Sequence, residues 1–204
     1  TLVGNDTYSD VAVLSVDSSK VISVATLGSS ESLRVGDTAF TVGAPLDASA
    51  YSWTVTRGII SGKNRKVEVS SGSSSFVMNV LQTDAPINSG NSGGPLCNVN
   101  GEVIGITNMK ISNTTVEGMG FAIPIETAIE YANKFINKEA IVRPYLGLSM
   151  YDASSTILKQ DGVYVVAVEE NSSASKAGLK EGDVITKIDD VTVKNTSYFK
   201  YELY

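Results

Sequence analysis

The chain has 204 residues and a formal net charge of −6 at pH 7, with 42% hydrophobic and 19% charged residues. This balance predicts a globular protein with a buried core, and an acidic chain without a basic stripe argues against nucleic-acid binding. Its single cysteine, Cys97, rules out an intrachain disulfide, and the complete lack of histidine removes the commonest metal ligand and general base. We therefore predict no metal site and no cofactor.

The first two-thirds of the chain has the pattern of strands. Short runs rich in β-forming residues are bounded by Gly, Asp or Ser at 11–16, 38–42, 53–56, 58–61 and 76–82. Many short strands separated by turns predict a barrel or a sandwich.

A hairpin is predicted where Asn100-Gly101 separates two strand-like runs, 96–99 and 102–106. An Asn-Gly pair tolerates the positive φ angles of a tight type I′ turn, so we expect a two-residue turn here.

A helix is predicted directly after Pro124, which suits a first helical turn. Apolar residues then recur at steps of three and four, forming one face, at Ile125, Ala128, Ile129, Ala132, Phe135 and Ile136. Glu126 near the start and Lys134 and Lys138 near the end complement the helix dipole. We expect this helix to pack against the barrel and close the domain.

A second, smaller β-rich unit follows a short polar linker at 139–143, and Pro144 favours an extended residue before it. This unit has a strand at 163–168, a short helix at 172–177, strand-like residues at 184–188 and the start of a helix at 197–204. No stretch reaches the ~20 apolar residues that a membrane-spanning helix needs. The chain begins at Thr1 rather than Met, so we interpret it as a piece of a longer protein.

The clearest chemical signal is Gly-Asn-Ser-Gly-Gly-Pro-Leu at residues 90–96. A hydroxyl nucleophile needs a tight turn with small neighbours, so that a substrate carbonyl can come close. In such a turn the N–H groups of Gly90 and Ser92 can converge on a developing oxyanion.

This string resembles the nucleophile motif of trypsin-like serine proteases, and Asn91 within it is typical of the HtrA family. Further segments resemble that family in the same order, and together they cover nearly all of residues 1–138: 33–37, 56–61, 81–88, 101–106 and 118–124. The resemblance implies a mostly β, trypsin-like double barrel, with the second barrel complete and the first mostly missing from this chain.

The resemblance also assigns the aspartate of a catalytic triad. Ser9-Asp10-Val11 begins a segment similar to the family's aspartate motif, so Asp10 is the expected member beside Ser92. The family order is His, Asp, Ser, which places the histidine upstream of Thr1. Without a base the Ser92 hydroxyl stays protonated and is a poor nucleophile, so we expect the 204-residue chain alone to be inactive.

The resemblance implies an oxyanion hole formed by Gly90, Asn91 and Ser92. We expect the walls of the substrate pocket at Ile87, Phe121, Ala122 and Ile123, although some of these residues are also candidates for the core. Pro86, six residues before Ser92, is not acidic, which favours a small apolar side chain over Lys or Arg in that pocket.

Residues 144–204 resemble a PDZ domain of bacterial type. Tyr145, Leu146, Gly147 and Leu148 are similar to its carboxylate-binding loop, whose N–H groups hold the C-terminus of a peptide paired as an added strand. The run Ala-Gly-Leu-Lys-Glu-Gly-Asp-Val-Ile at 177–185 strengthens this resemblance. The groove-lining helix is cut near Tyr204, so we expect a truncated PDZ domain that does not bind peptides well by itself.

Family resemblance implies a serine endopeptidase that degrades misfolded or damaged proteins, with unfolded polypeptides and C-terminal peptides as partners. It also implies trimers or multiples of trimers and an extracytoplasmic place in the bacterial cell envelope, with any membrane anchor upstream of this segment. The alternative is a non-catalytic, chaperone-like scaffold that holds peptides without cutting them. A histidine upstream of Thr1 supports the enzyme, and a substituted residue there supports the scaffold.

Overall fold

The computed structural model describes residues 1–43, 53–71, 74–108 and 118–204. These residues form two units, the first comprising Thr1–Val69 and Met78–Ala140 and the second Ser70–Val77 and Ile141–Tyr204. One boundary falls after Ala140, inside the stretch 139–143 that the sequence predicts as a linker; the linker itself stays a prediction.

The first unit begins with an antiparallel pair, β1 (Leu2–Asp6) and β2 (Val11–Leu14), with Asp6 opposite Val11. A tight turn joins the two strands. The N–H of Ser9 donates to Asp6 Oδ2 at 2.8 Å within this turn. Asp10 follows with φ of 51°, a left-handed conformation that Asp tolerates better than most residues. Asp10 therefore stands at the entry to β2, as the sequence predicts.

Six strands then close into a barrel in the order β3-β4-β5-β8-β7-β6. Closure leaves the sheet without unpaired edges. Inward-pointing residues from these strands and the preceding loop fill its core: Leu33, Ala39, Ile60, Leu81, Leu96, Ile104 and Ala122. The strands are β3 (Thr38–Gly43), β4 (Thr54–Ser71), β5 (Ser74–Thr83), β6 (Pro95–Asn98), β7 (Val103–Asn108) and β8 (Gly120–Pro124). The predicted barrel is confirmed.

The β6–β7 hairpin is present, but its turn differs from the prediction. Gly101 has φ of 79°, whereas Asn100 does not have the positive φ that a type I′ turn also requires. Instead, Gly101 N–H donates to Asn98 O at 3.0 Å, and Asn98 Oδ1 accepts from the N–H groups of Asn100 and Glu102. The Asn98 side chain thus holds a longer turn that ends in left-handed Gly101.

Helix α1 (Ile125–Ile136) confirms the predicted helix and contacts β1 and β2 as well as β7 and β8. At its start Glu126 accepts hydrogen bonds from the Ser29 hydroxyl and the Ser30 N–H, both at 2.8 Å, and from the Ser30 hydroxyl. Partial burial by itself would raise the pKa of Glu126, but these hydrogen bonds outweigh it and hold the pKa below its ordinary value. At the other end Phe135 packs on Gly4, where an added Cβ would lie 2.7 Å from the ring. The helix therefore fixes the β1–β2 hairpin relative to the barrel.

The second unit has a three-stranded sheet in the order β11-β10-β9. Its elements are β9 (Leu148–Asp152), β10 (Val163–Val168), α2 (Ser173–Lys176), β11 (Val184–Ile185), β12 (Lys187–Ile188), β13 (Val191–Thr192) and α3 (Thr196–Leu203). Strand β9 pairs with β10 on one side, and no described strand pairs with its other edge. Asp152, the last residue of β9, accepts from the N–H and hydroxyl of Thr196 at 2.8 and 2.7 Å. The start of α3 is thereby tied to the end of β9.

The helices are short throughout the described ranges. The longest, α1, has 12 residues. None of the described helices combines the length and the apolar character needed to cross a bilayer.

Candidate active site

Ser92 lies on an exposed loop that ends at β6. One glycine before Ser92 and one after it have positive φ angles, 111° at Gly90 and 80° at Gly93. These angles let the chain reverse around Ser92 without the steric cost that a Cβ would add. The end of β3 approaches the loop so closely that a Cβ on Gly43 would lie 2.6 Å from the Cα of Asn91. The serine is thus presented on a tight turn, as the sequence predicts for a nucleophile.

The side chain of Asn91 forms hydrogen bonds to two other residues of this loop. Its side chain is 5% exposed, with Oδ1 accepting from Asn88 N–H at 2.8 Å and Nδ2 donating to Pro86 O at 3.0 Å. The N–H of Asn91 also donates within the loop, to Asn88 O at 3.2 Å. Among the three predicted oxyanion donors, the N–H of Asn91 therefore has a partner within the loop, and the roles of Gly90 and Ser92 stay predictions.

Thr107, near the end of β7, forms hydrogen bonds to the backbone of the same loop. It is 1% exposed, and its hydroxyl reaches the carbonyl oxygen of Asn91 and, at 3.1 Å, that of Gly94. Two backbone hydrogen bonds flank this contact, from Gly93 N–H to Thr107 O at 2.7 Å and from Thr107 N–H to Gly94 O at 2.9 Å. The backbone on both sides of Ser92 is consequently fixed to β7.

Asn108, the next residue of β7, holds the predicted catalytic aspartate. Its Nδ2 donates to Asp10 Oδ2 at 2.7 Å across a sequence separation of 98 residues. Asn108 is buried and Asp10 is half-buried, so this amide-to-carboxylate bond is shielded from water and strengthened. This bond restricts the rotation of the Asp10 carboxylate, and the orientation of an imidazole requires a carboxylate that is held in place.

Sequence reasoning identified Asp10 and Ser92 but missed the two residues that join them. Thr107 and Asn108 belong to no recognised motif, and a contact across 98 residues leaves no local pattern. The available signal was the abrupt change from the apolar run Val103–Ile106 to two polar residues on a strand that is otherwise buried. Buried polar side chains need hydrogen-bond partners, so such a change indicates that the end of the strand bonds to another segment of the chain.

The predicted pocket residues fall into two groups. Ile87 is half-buried and its side chain lies over Gly120, where an added Cβ would be 2.8 Å from Ile87 Cδ1. Phe121, Ala122 and Ile123 are buried in β8, and Ala122 belongs to the barrel core. Their roles as pocket walls stay predictions, and Ile87 is the most exposed of the four residues.

In the second unit, the predicted carboxylate-binding loop is held by its own backbone. Ala174 N–H donates to Leu146 O at 3.0 Å, and Glu169 N–H donates to Gly147 O at 2.9 Å. Gly147 has φ of 77°, and an added Cβ would lie 2.3 Å from Ser172 Cβ. The exposed Tyr145 hydroxyl donates to the Glu169 carboxylate, and this bond raises the pKa of Tyr145.

A groove of about 290 Å³ runs beside this loop. Its apolar lining comes from Leu146, Leu148 and Met150 on one side and from Phe199 and Leu203 of α3 on the other. The remaining lining residues are Pro144, Tyr145, Thr196, Lys200 and Tyr204. The groove therefore lies between α3 and the edge of β9 that no described strand pairs with.

Family models agree with this division of the molecule. The trypsin-like peptidase domain matches residues 1–106, and the PDZ domain matches residues 144–204. The fold and the Ser92 loop thus define the class, a trypsin-like serine protease that carries a PDZ domain.

Individual relatives narrow the class to a family. The chain is 42% identical to the serine protease Do-like HtrB of Bacillus subtilis (strain 168), over all of this chain and 47% of that protein. It is 39% identical to a probable periplasmic serine endoprotease, DegP-like, of Rickettsia conorii, over 96% of this chain and 39% of that protein. Among solved structures, the HtrA-type protease AlgW with decapeptide superposes with a TM-score of 0.72 at 34% identity, covering all of this chain and 62% of AlgW.

The chain belongs to the HtrA family of trypsin-like serine proteases. It spans 47% of the length of the Bacillus relative and 39% of the length of the Rickettsia relative.

Proposed function

We propose that the protein containing this chain is a serine endopeptidase in which Ser92 is the nucleophile. The observation that carries the proposal is the joint anchoring of Asp10 and the Ser92 loop by adjacent residues of β7. Both groups thereby keep a fixed spacing on one strand end, which a positioned acyl-transfer site requires.

The proposed reaction uses the residues in the following roles. The Ser92 hydroxyl attacks the scissile carbonyl while its proton passes to a histidine, which we place upstream of Thr1. Asp10 orients that imidazole and stabilises the imidazolium, and the N–H groups of Gly90 and Ser92 stabilise the oxyanion. The imidazolium then protonates the leaving amine, and water hydrolyses the acyl-enzyme by the same route.

The proposed substrates are unfolded or damaged polypeptides cleaved beside small apolar side chains. Ile87 supports this preference because it offers an aliphatic, half-buried surface next to the Ser92 loop. An extended chain must enter the site before cleavage, so unfolded segments are favoured over folded domains.

The second unit is proposed to bind C-terminal peptides. The edge of β9 without a described partner can accept a peptide as an added strand. The loop at Tyr145–Leu148 borders the same groove, and we propose that it holds the peptide carboxylate. The likeness to AlgW with decapeptide supports this proposal. We further propose a trimeric protein outside the cytoplasm, and the name of the Rickettsia relative supports that location.

The test compares casein cleavage by the full-length protein, its Ser92→Ala variant and its Ser89→Ala variant. Ser89 is exposed in the same loop and serves as the matched control. We expect Ser92→Ala to lower kcat by about 10³-fold or more, since removing the nucleophile of such a triad abolishes acyl transfer. Ser89→Ala should stay within about twofold of the wild type, because a surface substitution of this kind changes little.

An inert wild-type protein that still binds peptides would instead support the alternative of a non-catalytic scaffold, which a chain without histidine also fits. Cleavage that survives Ser92→Ala would show that another group is the nucleophile. Labelling of Ser92 by a fluorophosphonate distinguishes these outcomes, because only an activated serine reacts.

A further inference from the structure

The peptide groove of the second unit contains one charged side chain. Of the ten residues that line it, Lys200 alone carries a formal charge. Lys200 is half-buried, and the described residues give its ammonium group no ion-pair partner. A partly desolvated cation without a counter-charge is a place where an incoming carboxylate binds favourably.

The two ends of the groove can be assigned from contacts within the unit. At one end Asp152, the last residue of β9, holds Thr196 at the start of α3. At the other end Tyr204 lines the groove beside Pro144 and Tyr145, and its ring lies 5.4 Å from the guanidinium of Arg143. The helix therefore runs from the end of β9 back toward the carboxylate-binding loop.

Lys200 lies about midway along this helix. It is one turn after Thr196 and one turn before Tyr204, or about 6 Å from each along the axis. Because Thr196 and Tyr204 line opposite ends of the groove, Lys200 lies beside the middle of a bound peptide rather than beside its terminal carboxylate.

A peptide paired with β9 would present alternate side chains to α3. In an extended strand, residues two apart point to the same side and lie about 6.6 Å from each other. The last side chain of the peptide would contact the apolar end of the groove near Leu203, and the third-from-last would reach the level of Lys200.

We propose that this groove selects C-terminal peptides with Asp or Glu at the third position from the end, and that Lys200 determines the preference. The inference rests on the proposed binding of C-terminal peptides by the second unit. It specifies a negative charge on the bound peptide, whereas peptide binding alone does not require one.

The experiment measures fluorescence anisotropy of labelled peptides with the full-length Ser92→Ala protein, which cannot cleave them. The peptides end in valine and differ only at the third-from-last residue, which is Glu, Gln or Lys. An amidated Glu peptide reports on the terminal carboxylate. Lys200→Met removes the charge at similar length, Lys200→Glu reverses it, and Lys187→Met is a matched control at an exposed lysine of the same unit.

We expect the Glu peptide to bind about five- to tenfold more tightly than the Gln peptide, the range of a partly buried charge pair. The difference should vanish in Lys200→Met, favour the Lys peptide in Lys200→Glu, stay unchanged in Lys187→Met and shrink as salt is added.

Two results would overturn the inference while peptide binding stands. Equal affinities for the Glu and Gln peptides would show that Lys200 does not face that position. An equal loss for both peptides in Lys200→Met would show that Lys200 holds the terminal carboxylate instead. If neither the free-acid peptides nor the amidated peptide bind, the proposed peptide binding is itself wrong, and this inference is wrong with it.

Discussion

Two glycine-containing loops of this protein are proposed to present backbone N–H groups to an oxygen anion, and the structure holds them in different ways. Side chains fix the loop around Ser92, through the buried amide of Asn91 and the buried hydroxyl of Thr107. Backbone groups fix the loop at Tyr145–Leu148, through the carbonyls of Leu146 and Gly147. Both solutions remove conformational freedom before the ligand arrives.

The difference fits the function that we propose for each loop. Catalysis needs donors placed within a few tenths of an ångström of a transition-state oxygen, and buried side chains with several partners give that rigidity. Binding a peptide carboxylate tolerates more movement, and a loop held by backbone bonds depends less on side-chain identity. The first loop should therefore respond to side-chain deletion, and the second mainly to changes that move its backbone.

Removing the Asn91 side chain should have the largest effect. Asn91→Ala leaves Asn88 N–H and Pro86 O without their partner, at a cost of about 1 kcal/mol for each lost hydrogen bond because both bonds are only partly buried. We expect kcat/KM for casein in the full-length protein to fall by about 10²-fold or more, because the loop no longer holds its donors. Asn88→Ala, with an exposed side chain in the same loop, should remain within about threefold of the wild type. Equal losses in the two variants would show that the Asn91 amide does not fix the loop.

Adding a methyl group to Gly147 should have the next largest effect, on peptide affinity. Gly147→Ala places a Cβ 2.3 Å from Ser172 Cβ, so the loop must shift. We expect the affinity for a C-terminal peptide to fall about tenfold or more, measured by anisotropy. Gly178→Ala has a comparable φ of 84° but nothing within 4 Å of the new Cβ. It should lower the free energy of unfolding by about 1–2 kcal/mol through backbone strain and leave peptide affinity unchanged. A similar affinity loss in Gly178→Ala would attribute the effect to strain alone.

The smallest effect is expected at two buried threonines of the barrel. Comparing them separates the contribution of a hydrogen-bonded hydroxyl group to the free energy of unfolding from the cost of burying a hydroxyl group without a partner. Thr107 has two carbonyl acceptors, whereas the hydroxyl of Thr41 is fully buried and has no hydrogen-bond partner among the described residues. We expect Thr107→Val to lower the free energy of unfolding by about 1–2 kcal/mol and Thr41→Val to leave it unchanged or raise it by up to about 1 kcal/mol. Denaturant titration of the two variants checks the order, and the reverse order would contradict the anchoring role of Thr107.

The sequence predicted most of the local structure because local signals carried it. Pro124 and the apolar face after it defined helix α1, and the short β-rich runs predicted the strands of the barrel. The β6–β7 turn was predicted incorrectly because Asn98, outside the Asn-Gly pair, uses its side chain to hold a longer turn. There the side chain of Asn98, two residues before the Asn-Gly pair, overrode the turn preference of the pair.

For the candidate site, the sequence by itself determined which residues are candidates for the chemistry. Ser92 in its glycine-rich string, Asp10 before a strand and the loop at Tyr145–Leu148 are all visible without a structure, because each is a short motif whose residue types fit one task. Only the tertiary structure decided what holds these groups. The Asn108–Asp10 bond spans 98 residues, and the place of Lys200 in the groove depends on how α3 is tied to β9 by Asp152. Such contacts are set by barrel closure and helix packing, which act across the chain and leave no pattern in any one segment.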